Sequence, residues 1–190
     1  AVCTSKEVWL GENLELTALG ASQKFSSEDP SQFIEQLTVD SMPHSVLIDC
    51  TASGESVKNY TRWLSEKKIH IITPNKRAGA GPWQDYLRIK TAAKKSKRHF
   101  LYETTVGAGL PVLNTLRELV ETGDQLLEIE GVLSGTLSYL LNRYDGAMTF
   151  SQLVFEAQKA GITEPDPRDD LSGMDVARKL VILAREAGLS

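Results

Sequence analysis

Through the middle of the chain, short apolar runs alternate with segments whose apolar residues recur at helical spacing. HSVLIDCTA (44–52) is rich in branched residues and closed by small polar ones, which predicts a buried parallel strand. GESVKNYTRWLSEKK (54–68) then places Val57, Tyr60, Trp63 and Leu64 on one helical face. IHIITPNK (69–76) predicts a second buried strand, ended by Thr73-Pro74. A helix follows from Gln84 to Lys95, then a strand in HFLYETT (99–105). Alternating strands and helices with short connections fold as right-handed βαβ crossovers around a parallel sheet. AVCTS, at the start, reads as one more strand, entered without a helix before it.

After Gly107 the pattern changes. GAGLP (107–111) is turn-like, and VLNTLRELVETG (112–123) predicts a helix with Gly123 at its C-terminal cap. A strand is expected from Leu127 to Leu133, followed by a segment of small and apolar residues. FSQLVFEAQKAG (150–161) predicts an amphipathic helix closed by glycine, and an acidic loop and a last helix complete the chain. These features place a boundary near residues 101–111 and divide the chain into 1–105 and 106–190. The fold class is α/β: part of a Rossmann-like parallel sheet, then part of an α+β substrate and dimerisation domain. No internal repeat or low-complexity segment is visible.

Composition narrows the function classes. The 190 residues, 41% of them hydrophobic, suffice for one sizeable core or two small ones. A net charge of −4 argues against nucleic acid or an anionic membrane as partner. The one basic run, KKSKRH (94–99), reads as the solvated end of a helix. Cys3 and Cys50 stand in apolar stretches and read as buried free thiols of a reducing compartment. His44, His70 and His99 lack the spacing of a zinc site. With no signal peptide and no apolar run near the roughly 18 residues of a membrane span, the expected location is cytoplasmic.

Ligands of open parallel sheets bind beyond the carboxyl ends of the strands. Three loops occupy such ends: Thr51-Ala52-Ser53, Thr73 to Lys76, and Glu103 to Gly109. The small hydroxyl-bearing residues of the first suit close approach by a phosphate or a ribose. The dinucleotide fingerprint GxGxxG is absent; GAGPWQ (79–84) and GAGLPV (107–112) carry only its first two glycines. In a Rossmann-like reading the chain starts after its phosphate loop, and AVCTSK is the second strand. That strand ends in Thr4, Ser5 and Lys6 instead of the acid expected for NAD, which suits a 2′-phosphate.

TEPDPRDDLSG (163–173) holds Glu164, Asp166, Asp169 and Asp170, interrupted by Pro165 and Pro167. It lacks the ligand pattern of a calcium loop. A solvated acidic turn that caps the next helix is the plain alternative. In that helix Asp175 and Lys179 stand four apart, a spacing that gives an ordinary surface pair of about 0.2–0.5 kcal/mol. Yet Lys179 is flanked by Val176, Leu180, Val181, Ile182 and Leu183, so partial burial is expected. A buried lysine beside carboxylates can carry a tuned pKa and move protons. A loop of acids plus one lysine suits a small amino acid whose hydroxyl or carbonyl changes protonation.

GITEPDPRDDLSGMDVARKLVILAREAG (161–188) closely resembles the signature of homoserine dehydrogenases. The likeness extends through DCTAS, TPNK, YETTVGAGLP and GVLSGTLSYL, in the family's order, over about residues 45–190. The final segment is most similar to the dehydrogenase half of members fused to aspartate kinase. The resemblance implies reduction of aspartate 4-semialdehyde to homoserine with NADP or NAD, by a homo-oligomer. It makes Lys179 the proton donor and sets Lys76 beside cofactor and substrate. Glu164, Asp170 and Asp175 would orient the substrate's ammonium group, and Gly135 and Thr136 would line its pocket. Thr51 and Gly161 would touch the cofactor, together with Ala52, Ser53 and Lys6 from the reading above. A monovalent cation would use Glu103, Val106, Ala108 and Leu110, largely through carbonyls. Ile162 stands where many members have tyrosine. The phosphate loop and the family's C-terminal continuation are missing, so a fragment is expected. The alternative is a truncated, non-catalytic association or binding module of the same fold.

Overall fold

The computed structural model describes Val2–Cys3, Val8–Trp9, Lys24–Phe25, Ile34 and residues 44–164 and 166–189. The chain forms two compact units, 1–45 and 46–190. In the first, β1 (Val2–Cys3), β2 (Val8–Trp9) and β3 (Lys24–Phe25) form an antiparallel sheet in that order, with Val2 opposite Trp9 and Val8 opposite Phe25. The opening strand therefore belongs to an antiparallel meander and not, as expected, to the parallel sheet. The reason is the connection: residues 4–7 are too few for a crossover, which takes about a dozen.

The parallel sheet is built from β4 (Ser45–Ile48), β5 (Ile69–Ile72) and β6 (Phe100–Leu101), in that order, with Ile71 opposite Phe100. Between β4 and β5 the expected helix is broken at Asn59 into α1 (Gly54–Lys58) and α2 (Tyr60–Ser65). Between β5 and β6 run α3 (Lys76–Ala80) and α4 (Trp83–Ser96). Helix α2 packs on α4 and β5 and buries Tyr60, Trp63 and Leu64 with Ile71 and Ile89. The Tyr60 ring lies 6.0 Å from both Trp63 and Phe100, an aromatic cluster at the centre of this core. Helix α4 ends at Lys97 in a left-handed conformation, with Lys94 and Lys95 exposed, as a solvated helix end requires.

Two expectations fail at β4. Among the described residues the strand lies at one end of the sheet; Ser45 and Leu47 are only half-sheltered while Val46 and Ile48 are exposed, Ile48 to 65%. Cys50 just beyond it is a free but exposed thiol, not a buried one; the side chain of Cys3 lies outside the described residues.

Beyond β6 the chain makes a short 3₁₀ turn, Glu103–Thr105, and enters α5 (Val112–Glu121). Gly123, with φ of +88°, takes the left-handed position after it. The strand expected at 127–133 does not form: this stretch has no regular secondary structure and no ladder partner among the described residues, and Leu127 is 94% exposed. Its alternation is real, yet a strand exists only with a neighbour to bond. Helices α6 (Gly135–Arg143) and α7 (Phe150–Lys159) enclose a second, smaller core of Leu140, Leu153 and Ala157. Thr149 and Gln152 form a reciprocal capping box at the start of α7. The acidic loop folds into a single turn, α8 (Pro167–Leu171), and α9 (Met174–Glu186) then packs on α3, α5 and α8. The last turn of α9 is anchored by Glu186, which accepts from Tyr102 and, at 3.0 Å, from Arg117. Burial and the adjoining Glu186 charge push the Tyr102 hydroxyl far up.

Candidate functional site

The Thr51-Ala52-Ser53 loop is held from below and from one side. Asp49, buried at the end of β4, accepts from the Thr51 N–H (2.8 Å), the Ser56 hydroxyl (2.7 Å) and the Tyr60 hydroxyl. Burial works to raise its pKa, but these hydrogen bonds outweigh it and hold the carboxyl below the usual aspartate value. From the side, Asn75 Nδ2 donates to the Ser53 carbonyl (2.7 Å) and Arg77 Nε to the Ala52 carbonyl (2.9 Å). The loop's own side chains are left exposed. Exposed hydroxyls on a fixed backbone, with the Arg77 guanidinium beside them, fit a phosphate-bearing cofactor.

Asn75 also caps α3, accepting from the Arg77 N–H at 3.1 Å, and so sets Lys76 as the first residue of that helix. Lys76 Nζ reaches Asp175 Oδ1 at 3.2 Å. The other oxygen of Asp175 accepts from Lys179 Nζ at 2.7 Å, and Lys179 donates again to the Leu133 carbonyl at 2.6 Å. The Lys179 side chain is 18% exposed, the partial burial that its apolar neighbours predict. An ammonium has three N–H groups, and two of Lys179's are taken. The third has no acceptor among the described residues and is available to a ligand. Asp175 joins the two lysines. Burial acts to raise its pKa, while the Lys179 hydrogen bond and both lysine charges more than offset this and lower it.

Leu133 leads directly into α6, whose first residues are Gly135 and Thr136. Thr136 Oγ1 donates to the Ile162 carbonyl at 3.0 Å and so ties α6 to the start of the acidic loop. Within that loop Asp170 accepts from the Glu164 N–H at 2.8 Å. Asp166 caps α8, with Pro167 in the first helical position, and binds Arg168 through a 2.6 Å contact. Those Arg168 hydrogen bonds push the Asp166 carboxyl down to about 2. Two of the loop's acids are therefore occupied in shaping it, whereas the Glu164 carboxylate is exposed and accepts no hydrogen bond among the described residues. Gly161 has φ of +70°, with open space where a side chain would stand.

Lys76, Asp175 and Lys179 thus meet directly and the Leu133 carbonyl bonds Lys179, while Gly135 and Thr136 follow Leu133 in the chain and Asp170 bonds within the acidic loop. Other expected residues make no bond to these three among the described residues. Glu103 accepts from the Leu113 N–H at 2.8 Å, capping α5 through the side chain, while Val106 is buried and Ala108 takes φ of +51°. Leu110 is exposed and its carbonyl accepts from Val112 at 2.8 Å. Lys6 lies outside the described residues. Sequence reading missed Asp49, Asn75, Arg77 and the Leu133 carbonyl. Asn75, a capping residue ahead of a lysine, carried a usable signal; a backbone carbonyl carries none.

Comparison with known proteins identifies the family. The model of the homoserine dehydrogenase NAD-binding domain matches residues 3–103, and that of homoserine dehydrogenase matches 111–190. The chain is 60% identical over 147 residues to bifunctional aspartokinase/homoserine dehydrogenase 1, chloroplastic, of Zea mays, covering 77% of this chain and 16% of that protein. It is 40% identical to the homoserine dehydrogenase of Schizosaccharomyces pombe, over 100% of this chain and 52% of that one. A hyperthermophilic archaeal homoserine dehydrogenase mutant, solved in complex with NADPH, superposes with a TM-score of 0.75 at 26% identity, covering 91% of this chain and 51% of the other. The chain thus spans about half the length of the single-function relatives and far less of the fused one. With residues 3–103 and 111–190 both matched, the chain belongs to the homoserine dehydrogenase family.

Proposed function

We propose that the protein containing this chain interconverts aspartate 4-semialdehyde and homoserine. The observation that carries this reading is Lys179, held by Asp175 and the Leu133 carbonyl with one N–H left over. A bound reduced nicotinamide, NADPH or NADH, would supply the hydride to the carbonyl carbon and leave as NADP or NAD. Lys179 gives its remaining proton to the carbonyl oxygen of the semialdehyde as that oxygen becomes a hydroxyl. Asp175 fixes the lysine's direction and, with Lys76, balances the local charge. Glu164 and Asp170 receive the substrate's ammonium group, and Gly135 and Thr136 line its pocket. Thr51, Ala52, Ser53 and Gly161 contact the cofactor. The same reading assigns a monovalent cation to Glu103, Val106, Ala108 and Leu110, and divides cofactor from substrate domain at 105/106. It includes a homo-oligomer in the cytoplasm; no helix among the described residues is long and apolar enough to cross a membrane.

The test uses the full-length product of the source gene, assayed for NADPH consumption with aspartate semialdehyde, wild type beside Lys179→Ala. General-acid catalysis contributes about 10²–10⁴-fold, so the variant is expected to lose at least about a hundredfold in kcat while still binding substrate. Wild-type rates in the variant would remove the assignment of Lys179. An inactive wild type would transfer the fold to a non-catalytic binding role.

A further inference from the structure

Helix α9 carries Asp175 and Lys179 in its first half and Arg185 in its last turn. At a rise of 1.5 Å per residue, Asp175 and Arg185 stand about 15 Å apart along the axis. Both ends touch the same short helix. Asp175 meets Lys76 at the N-terminus of α3, and Arg185 donates to the carbonyls of Gly79 (2.5 Å) and Gly81 (2.8 Å) at its C-terminus. Helix α3 spans only Lys76–Ala80, and a helix of one turn has no cooperative stability of its own. Its terminal carbonyls need outside donors, and the fork of a guanidinium supplies two at once. That guanidinium is also fixed in place, lying 5.3 Å from the Trp83 ring and 5.0 Å from the Tyr86 ring.

Gly79 makes the approach possible. A Cβ at this position would lie 2.9 Å from Ile182 Cγ1 and 3.2 Å from its Cδ1, and Gly79 and Ile182 are both buried. The glycine does not occupy the left-handed region, so close passage of α9 is what it provides. The contact leaves no room for α9 to slide along α3 without opening a gap or a clash.

We infer that Arg185 is a positioning residue. Gripping the end of α3, it sets the register of α9 and thereby the Lys76–Asp175–Lys179 spacing. It touches neither the reacting atoms nor the cofactor loop. The inference rests on the catalytic reading above for its kinetic consequence, but the geometric consequence stands without it.

The experiment compares wild type, Arg185→Gln and Arg185→Lys in the full-length enzyme, with two readouts. In steady-state kinetics, a displacement of about 1 Å at reacting groups costs on the order of a hundredfold. Arg185→Gln is therefore expected to lower kcat by about ten- to a hundredfold, with KM for NADPH and semialdehyde held within about twofold. Arg185→Lys recovers only part of the loss, because a point charge cannot bridge two carbonyls. In carbon NMR titration, the Asp175 carboxyl moves up toward the ordinary aspartate value in Arg185→Gln as Lys76 draws away. A kcat within twofold of wild type together with an unmoved Asp175 titration overturns the inference. If wild type proves inactive, the catalytic reading falls and the titration alone decides the positioning role. If Arg185→Gln does not fold, Arg185→Lys is read by the same two criteria.

Discussion

Asp49 follows directly on β4 and Asp166 caps the start of α8, and each shapes a loop of the candidate site by different means. Asp49 is buried and receives bonds from Thr51, Ser56 and Tyr60, while the Thr73 hydroxyl donates to its backbone carbonyl at 2.8 Å. One residue thereby joins β4, α1, α2 and the end of β5. Asp166 is far more exposed and its hydrogen bonds go to Arg168, two positions along. The Thr51–Ser53 loop, the proposed cofactor contact, is thus fixed by the surrounding core, and the acidic loop by its own neighbours and prolines. A dinucleotide needs a backbone that does not yield when phosphates approach. Under the proposed function the acidic loop would receive a small zwitterion, and such a loop can be shaped locally while Lys179 is held by α9.

The largest effect is expected in the cores beneath the two loops. Leu64→Ala removes a fully buried side chain from the aromatic core and should cost about 3–5 kcal/mol in urea unfolding, within the usual range for large-to-small changes. Leu153→Ala empties the smaller α6–α7 core, ringed by half-buried side chains that can collapse inward, and should cost nearer 2 kcal/mol. Equal losses would erase the difference between the two regions.

Asp49→Asn comes next, at about 1–3 kcal/mol near neutral pH, because buried donors lose a charged acceptor. The pH dependence has a definite sign. Asp49 has a lower pKa in the folded chain than in the unfolded one, so its contribution is present above about pH 4 and lost as pH falls through the folded value. Unfolding curves of wild type and Asp49→Asn should therefore converge in acid. A gap that persists unchanged well below pH 3 would mean that the network works through shape and not through charge.

Thr149→Ala opens the capping box of α7 and should cost about 1 kcal/mol, read as a fall in thermal midpoint with catalysis unaltered. The smallest effect belongs to Arg168→Ala. Global stability should hardly move, but the Asp166 carboxyl should titrate well above about 2, visible by NMR. A large stability loss there would show the acidic loop to be as deeply embedded as the cofactor loop.

Much of this was legible in the sequence. The helices at 83–96, 112–121, 150–159 and 174–186 declare themselves through apolar spacing, and glycine marks the ends of three of them. The one-turn helices α3 and α8 were hidden because five residues carry no period, only a capping Asn75 and a capping Asp166 with Pro167 behind it. Alternation at 127–133 predicted a strand, but pairing depends on a neighbour that the local pattern does not contain. In the site, Asp175 and Lys179 were visible as a helical pair. Lys76 and Arg185 reach α9 or α3 from far along the chain, and Leu133 takes part through a carbonyl that every residue possesses.

That carbonyl sits near the end of the stretch 124–134, which has no regular secondary structure and is largely open to solvent. Proteases bind their substrates as extended strands and favour exposed segments of this kind. A nick before Leu133 would leave its carbonyl joined to α6 and the lysine's second acceptor in place; a nick after it would release both. The site's integrity in a cell extract thus depends on which peptide bond is cut, and a fragment map would show it before any assay did.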